Sequence, residues 1–338
     1  MIGIVFLCYF YNFVHGRISI SSLINNFFII IITSFIIISN DSFKLKLYNY
    51  FDCFIKIICF ISLIGWILFL LGVPLPHYYN ETTDFYSHEV FYLFIMGANN
   101  FGHSTELIDI VPRFCGMFLE PGHIGSTACI MLYINKFNFR KRSNIIYLLS
   151  IILSLSLAAY CLFFIGLILY SLFRGKDIFR YLFWILVVGL VLVAFGLYYN
   201  GGDNIINEKI LERLVIKDGH MAGDNRTTSS FDDYYKSWLE NGNLFWGYGS
   251  KIYFSDTTTV LHGTSSYKSF FFVNGIVGVI LVFIFYISIL LRKYSRLGIG
   301  LLILVVICNM IRDYPYRLLW LYVYISGLVV LSTCKYDK

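Results

Sequence analysis

The chain has 338 residues, of which 58% are hydrophobic and 14% charged, with a formal net charge of +6. Soluble domains carry roughly 45–50% apolar and about 25% charged residues. This chain therefore has too little charge to cover a water-exposed surface, which excludes a soluble globular enzyme, a disordered tail and a coiled coil. The net charge is spread along the sequence and not focused on one face, which argues against nucleic-acid binding. The class that remains is an all-α polytopic integral membrane protein.

A spanning helix needs about 20 predominantly apolar residues. In chain order the predicted spans are 1–14, 20–39, 51–72, 122–136, 178–199, 270–291, 297–311 and 318–334. The apolar stretch 145–173 is too long for one upright helix and has Ser154, Ser156, Ala158 and Ala159 at its middle. It reads as two short helices meeting at a small-residue break, a broken-helix hairpin. The total is about ten membrane segments in a single membrane domain, 1–338.

Basic clusters set the orientation. They are Lys44 and Lys46; Lys136, Arg140, Lys141 and Arg142; Arg174, Lys176 and Arg180; Arg292, Lys293 and Arg296; and Lys335 and Lys338. The loops alternating with them carry most of the acids, among them Glu81, Asp84, Glu106, Asp203, Asp218 and Asp256. The basic loops and both termini are expected in the cytoplasm. Two long loops, 73–120 and 200–264, are expected on the opposite, periplasmic side. Long connections that are not low-complexity tend to carry function. Phe91 to Gly97 has the character of a segment dipping into the interface. The N-terminus lacks a basic region before its apolar run, so no cleavable signal peptide is expected. The eight cysteines show no metal-binding or disulfide spacing and are expected to pack; Cys115 alone falls in a polar loop.

Four constellations can carry chemistry. In the first, Arg113 precedes Gly116, Phe118, Glu120 and Pro121. Pro suits the first position of a helix, and Gly122, Gly125, Ser126 and Cys129 then form a small face at helical spacing that permits close approach. Arg113 and Glu120 read either as an anion-binding Arg with a carboxylate at a cavity mouth or as an ion pair anchoring a helix. In the second, Asn225, Arg226 and Thr227 offer donors to phosphate or sugar oxygens, with Trp238 and Phe245-Trp246-Gly247-Tyr248-Gly249 following. A solvated loop holding an Arg–Asp pair is the alternative there. In the third, His262 precedes Ser266-Tyr267-Lys268 at the start of a span. Histidine suits general acid–base work but is more often structural when alone. In the fourth, Arg312-Asp313-Tyr314-Pro315-Tyr316-Arg317 is a very short turn, where charges need a cavity or a partner. No His spacing suggests a metal site.

Arg113-x-x-Gly116-x-Phe118-x-Glu120-Pro121, the basic loop after it and the Ser/Ala-centred break resemble the bacterial O-antigen polymerase and O-antigen ligase superfamily. So do Asn225-Arg226, Phe245-Trp246-Gly247-x-Gly249, and His262 followed by Ser266-Tyr267 and Asn274-Gly275-x-x-Gly278. The resemblance runs from about Val111 to Leu290; the first three spans agree only in hydropathy. Two positions depart from the family pattern: His262 is followed by Gly263 where a His-Asn pair is familiar, and the break holds Ala158-Ala159-Tyr160 where Ser-Arg is often found.

The resemblance implies a GT-C-like membrane glycosyltransferase architecture in the bacterial inner membrane with its active face periplasmic. It implies polymerisation of undecaprenyl-pyrophosphate-linked oligosaccharide repeat units, as in O-antigen, capsule or exopolysaccharide, with no metal and no cofactor. Arg113, Glu120, Arg226 and His262 would be catalytic. Asn225, Tyr267, Arg312 and Arg317 would bind substrate. Donor and acceptor glycan lipids and membrane lipid are the implied partners, with a chain-length regulator and a flippase as protein partners. Trp238, Trp246 and Tyr267 would stack on sugars or sit in the interfacial belt. The alternatives are ligase-type transfer of finished glycan to lipid A-core or protein, and a polysaccharide transporter without chemistry.

Overall fold

The structure, a computed structural model, describes residues 2–15, 20–80, 89–92, 96–99, 113–118, 120–174, 178–204, 206–207, 211–217, 220–221, 229–249, 267–311, 315 and 317–333. Among these residues it is a predominantly helical protein. Three of its helices are long and apolar enough to cross a membrane.

The α-helices are α1 (Ile2–His15), α2 (Ile20–Ile38), α3 (Asp41–Leu70), α4 (Pro121–Ile134), α5 (Asn144–Leu153), α6 (Leu157–Arg174), α7 (Ile178–Tyr198), α8 (Ser229–Asn241), α9 (Tyr267–Arg292), α10 (Arg296–Ile311) and α11 (Leu318–Thr333). The spanning three are α3, α6 and α9. The fold is not purely helical. In the first long loop, β1 (His77–Asn80), β2 (Glu89–Tyr92) and β3 (Met96–Asn99) form an antiparallel sheet in that order. Phe91 is paired with Gly97 across β2 and β3, so backbone pairing occupies the ends of the segment expected to dip into the interface. In the second loop, β4 (Ile216–Lys217) pairs with β5 (His220–Met221), and α8 follows.

The largest departure in helix boundaries is α3, which begins ten residues before the predicted span. Asn40 explains the early start: its side chain accepts the Phe43 N–H at 2.8 Å, an N-cap. Lys44 is consequently not in a solvated loop. It is 6% exposed, and its ammonium donates to the Ile37 carbonyl at 3.0 Å. A cation at the end of α2 satisfies a carbonyl that has no intrahelical donor.

The chain divides into two compact units, Met1–Tyr48 with Asn225–Lys338, and Asn49–Asp224. In the first, α1 packs on α2 and α9, α9 on α10, and α11 on both α10 and α2. Tyr286 of α9 donates to the Pro315 carbonyl at 2.7 Å, and Tyr324 of α11 donates to the Tyr286 carbonyl at 3.0 Å. These bonds tie α9 to Pro315, just before α11, and to α11 itself. Lys293 and Asp41 form an ion pair within the same unit.

In the second unit α4 is the central helix, buried along nearly its whole length against α5 and α6. Its small face makes this contact. A Cβ on Gly125 would lie 2.4 Å from the Ala159 Cβ, and the Cys129 thiol donates to the Ala159 carbonyl at 3.2 Å. Helix backbones approach this closely only where side chains are nearly absent.

Candidate functional site

The Arg113 segment is built onto a helix break. Between α5 and α6 the chain is still helical in φ and ψ at Ser154 and leaves that geometry at Leu155, which takes φ 44. The end of a helix leaves carbonyls without intrahelical donors. Two are filled from the segment 113–118: the Phe114 N–H donates to the Leu153 carbonyl at 3.0 Å, and the Arg113 Nε donates to the Ser154 carbonyl at 3.0 Å. Gly116, at φ 57, turns the chain toward α4. Glu120 is extended (φ −128, ψ 142) at the N-cap position, with Pro121 in the first turn of α4. Its carbonyl accepts the His123 N–H at 3.0 Å, and the His123 ring lies edge-on to Phe118.

Arg113 is half-buried and Glu120 half-buried. A guanidinium is a rigid fork of donors, and fixing it through Nε at a helix break sets its direction before any ligand arrives. That arrangement suits a charge that has to meet an anion in one geometry. Cys115 belongs to this packing despite its polar sequence surroundings: it is 1% exposed, and its thiol contacts the Arg113 carbonyl at 3.4 Å.

In the other unit, the motifs around Trp246 and Gly275 interlock. Helix α9 is interrupted at Gly275 (φ 60, ψ −169). Segment 244–249 lies along the interruption and supplies the missing backbone partners. The N–H groups of Tyr248 and Gly249 donate to the carbonyls of Phe272 and Val273 at 2.7 and 3.0 Å. Those of Ile276 and Val277 donate to the carbonyls of Leu244 and Phe245 at 2.9 and 3.1 Å. The Tyr11 hydroxyl donates to the Asn274 carbonyl at 2.6 Å, which brings α1 to the same point. An interrupted helix is stable at membrane depth only where its backbone groups are satisfied in this way.

Helix α8 docks on the start of α9. Phe231, Trp238 and Phe272 form its buried cluster, and Lys268 pairs with Asp232 at 2.8 Å. Trp238 is 5% exposed, so it is a packing residue and neither a sugar platform nor a belt residue. Trp246 is 54% exposed and keeps an open ring. Burial pushes the Tyr235 phenol upward, with Tyr267 adding to the shift and Lys268 opposing it. Tyr267 itself, the first residue of α9, is exposed. Arg317 is exposed, and its carbonyl accepts the Trp320 N–H at 3.1 Å at the start of α11. Asn225, Arg226, His262 and Arg312 lie outside the described residues.

One polar cluster escaped the sequence reading. Asp52 of α3 pairs with Lys56 at 2.6 Å and accepts from Asn135 at 2.8 Å and Tyr147 at 3.0 Å. The signal was present as an Asp and a Lys four apart at the edge of an apolar run, a spacing that places both on one helix face.

Compared with known proteins, the chain matches no family model, no curated protein and no solved structure.

Proposed function

We propose that this chain is a membrane-embedded glycosyltransferase of GT-C-like architecture, with about ten membrane segments. It polymerises undecaprenyl-pyrophosphate-linked oligosaccharide repeat units on the periplasmic face of the bacterial inner membrane. The observation that carries this reading is Arg113, tied through Nε to the Ser154 carbonyl at a helix break and followed by Glu120-Pro121. The order of the remaining sequence motifs supports it.

In this mechanism a hydroxyl oxygen of the acceptor sugar attacks the anomeric carbon of the donor. The new C–O bond forms as the bond from that carbon to the pyrophosphate oxygen breaks, and undecaprenyl pyrophosphate leaves with the electron pair. The hydroxyl proton passes to a base, for which Glu120 and His262 are the candidates; such a base contributes typically 10²–10⁴-fold. Negative charge grows on the leaving pyrophosphate, and preorganised cations are usually the largest catalytic contribution at such a point. Arg113 and Arg226 take that role, with Asn225, Tyr267, Arg312 and Arg317 as substrate contacts.

The test is complementation in a strain lacking the gene, read as the ladder of glycan chain lengths, together with purified protein and a synthetic lipid-linked repeat unit. The expected result is that Arg113→Ala and Arg226→Ala each abolish polymer while the protein still inserts. Full-length chains from both variants would overturn the charge-stabilisation account. Finished glycan accumulating on its carrier lipid in the deletion strain would move the reading to a ligase.

A further inference from the structure

The loop joining α4 to α5 is a short, tightly built cationic turn. Its charged residues are Lys136, Arg140, Lys141 and Arg142; Lys136 is half-buried and the other three are exposed. Over residues 121–202 the sequence contains a single acid, Asp177. Among the described residues no carboxylate pairs with any of the four bases.

This turn is held in an unusual conformation. Lys136 and Phe137 both have positive φ, 58 and 49. Consecutive non-glycine residues in that region cost on the order of 1–3 kcal/mol each and persist only when their surroundings enforce them. The surroundings here do so. Phe137 is folded inward, 8% exposed, against the rings of Tyr133, Phe163 and Tyr170. Asn144 donates to the Asn138 carbonyl at 2.8 Å, the Asn138 side chain accepts the Arg140 N–H at 3.2 Å, and Asn135 is bound to Asp52. Phe137 also brings α6 to the turn, because Phe163 and Tyr170, against which its ring packs, both belong to that helix.

The bases lie at the end of an apolar stripe. Ile145, Leu149 and Ile152 of α5 are each about two-fifths to one-half exposed, at 41%, 41% and 48%, with i, i+4, i+7 spacing on one helix face. Phe139, inside the basic run, is 40% exposed. The Arg142 carbonyl accepts the Ile145 N–H at 3.0 Å, so the basic run leads directly into the stripe.

We infer that the rigid turn 136–142 is a binding site for anionic phospholipid headgroups of the adjoining leaflet. Phosphate oxygens accept from the exposed guanidinium and ammonium groups, while Phe139 and the α5 stripe lie against the acyl chains. A soluble phosphate-bearing polymer would match the charge but not the apolar stripe beside it. This inference does not depend on glycosyl transfer.

Native mass spectrometry of the full-length protein in detergent, titrated with phosphatidylglycerol and separately with phosphatidylcholine, tests it. The expected result is tighter binding of phosphatidylglycerol. A base near an anionic surface contributes about 1 kcal/mol, or roughly fivefold. The triple variant Arg140→Gln, Lys141→Gln, Arg142→Gln is therefore expected to weaken phosphatidylglycerol binding about 100-fold and to leave phosphatidylcholine unchanged. The charge-conserving variant Arg140→Lys, Lys141→Arg, Arg142→Lys keeps the preference and shows that the turn tolerates substitution. Equal binding of the two lipids, or an unchanged preference in the glutamine variant, overturns the inference. So does a glutamine variant that loses binding of a heparin probe while keeping its phosphatidylglycerol preference, which would assign the patch to soluble polyanions.

Discussion

Gly247 and Gly275 meet backbone to backbone: a Cβ on Gly247 would lie 2.5 Å from the Gly275 nitrogen, and a Cβ on Gly275 would lie 2.4 Å from the Gly247 nitrogen. Both residues also have positive φ, 76 and 60. The contact explains why the tryptophan-glycine segment and the asparagine-glycine pair occur in one chain, since each is the other's hydrogen-bonding surface. With ψ −169, Gly275 sits in a region essentially reserved for glycine. Gly275→Ala is expected to cost about 3 kcal/mol or more, because the clash is with main chain and cannot be relieved by a rotamer. Thermal denaturation in detergent measures this. A melting curve for Gly275→Ala that overlays the wild type would mean that the segment does not dock as described.

Gly125 and Ala159 make a comparable contact, but between a glycine and a side chain. A Cβ on Gly125 would lie 2.4 Å from the Ala159 Cβ. Gly125→Ala is therefore expected to destabilise by about 1–3 kcal/mol, the usual range for overpacking. Ala159→Gly removes the opposing methyl, so the double variant is expected to recover most of the loss. The two changes are coupled, and a double-mutant cycle reads the coupling directly. Strictly additive effects would show that the α4–α6 approach is not the cause.

How much of this was legible in the sequence depends on which physics set each feature. The apolar runs located most helix cores, since about 20 apolar residues in a membrane have few alternatives to a helix. The break in 145–173 showed in its small and hydroxyl-bearing centre. The break in α9 did not, although Gly275 stood in plain view. Its conformation is fixed by segment 244–249, some thirty positions earlier, and hydropathy carries no trace of such a long-range backbone contact. Lys44 misled for the converse reason: it is a cation by composition but a cap by position, and only the Asn40 start of α3 reveals it. At the candidate site, the sequence singled out Arg113 but not its acceptor, because Ser154 contributes a carbonyl that any residue could supply.

That acceptor separates two properties of Arg113. Arg113→Lys retains a cation but loses the planar fork and the Nε that reaches the Ser154 carbonyl. The variant is expected to fold, with a loss of about 1–2 kcal/mol for the displaced bond, and to produce polymer far below the wild-type level. Glycan ladders and melting curves from the same preparations check both parts. Wild-type ladders from Arg113→Lys would show that charge suffices and direction does not matter.

Trp238 offers a test of packing against polarity. Its ring is buried against Phe231 and Phe272, yet its Nε1 has no acceptor among the described residues. Removing the whole side chain, in Trp238→Ala, is expected to cost about 3–5 kcal/mol. Trp238→Phe loses volume but also removes an unsatisfied donor, whose burial costs about 1–3 kcal/mol. The phenylalanine variant is therefore expected to be far closer to wild type than the alanine one. Equal losses from the two would show that Nε1 is bonded in the folded protein.

The Asp52 cluster predicts an asymmetry between its two charges. Lys56 is one of three side chains donating to the Asp52 carboxylate, with Asn135 and Tyr147 as the others. Lys56→Met leaves the carboxylate with two donors and replaces the lysine stem with apolar volume. Asp52→Ala instead removes one acceptor from three partners at once, and leaves Lys56, 8% exposed, without its counter-charge. Breaking a buried pair from the side that strands the other charge costs about 3–5 kcal/mol. Asp52→Ala is therefore expected to lower stability well beyond Lys56→Met, as measured by thermal denaturation at neutral pH. The asymmetry extends to the turn beyond α4, because Asn135 links Asp52 to the residues that hold the strained positions 136 and 137. Limited proteolysis within 136–142 is accordingly expected to speed up in Asp52→Ala and to stay near the wild-type rate in Lys56→Met; the reverse ranking would place Lys56 at the centre of the network.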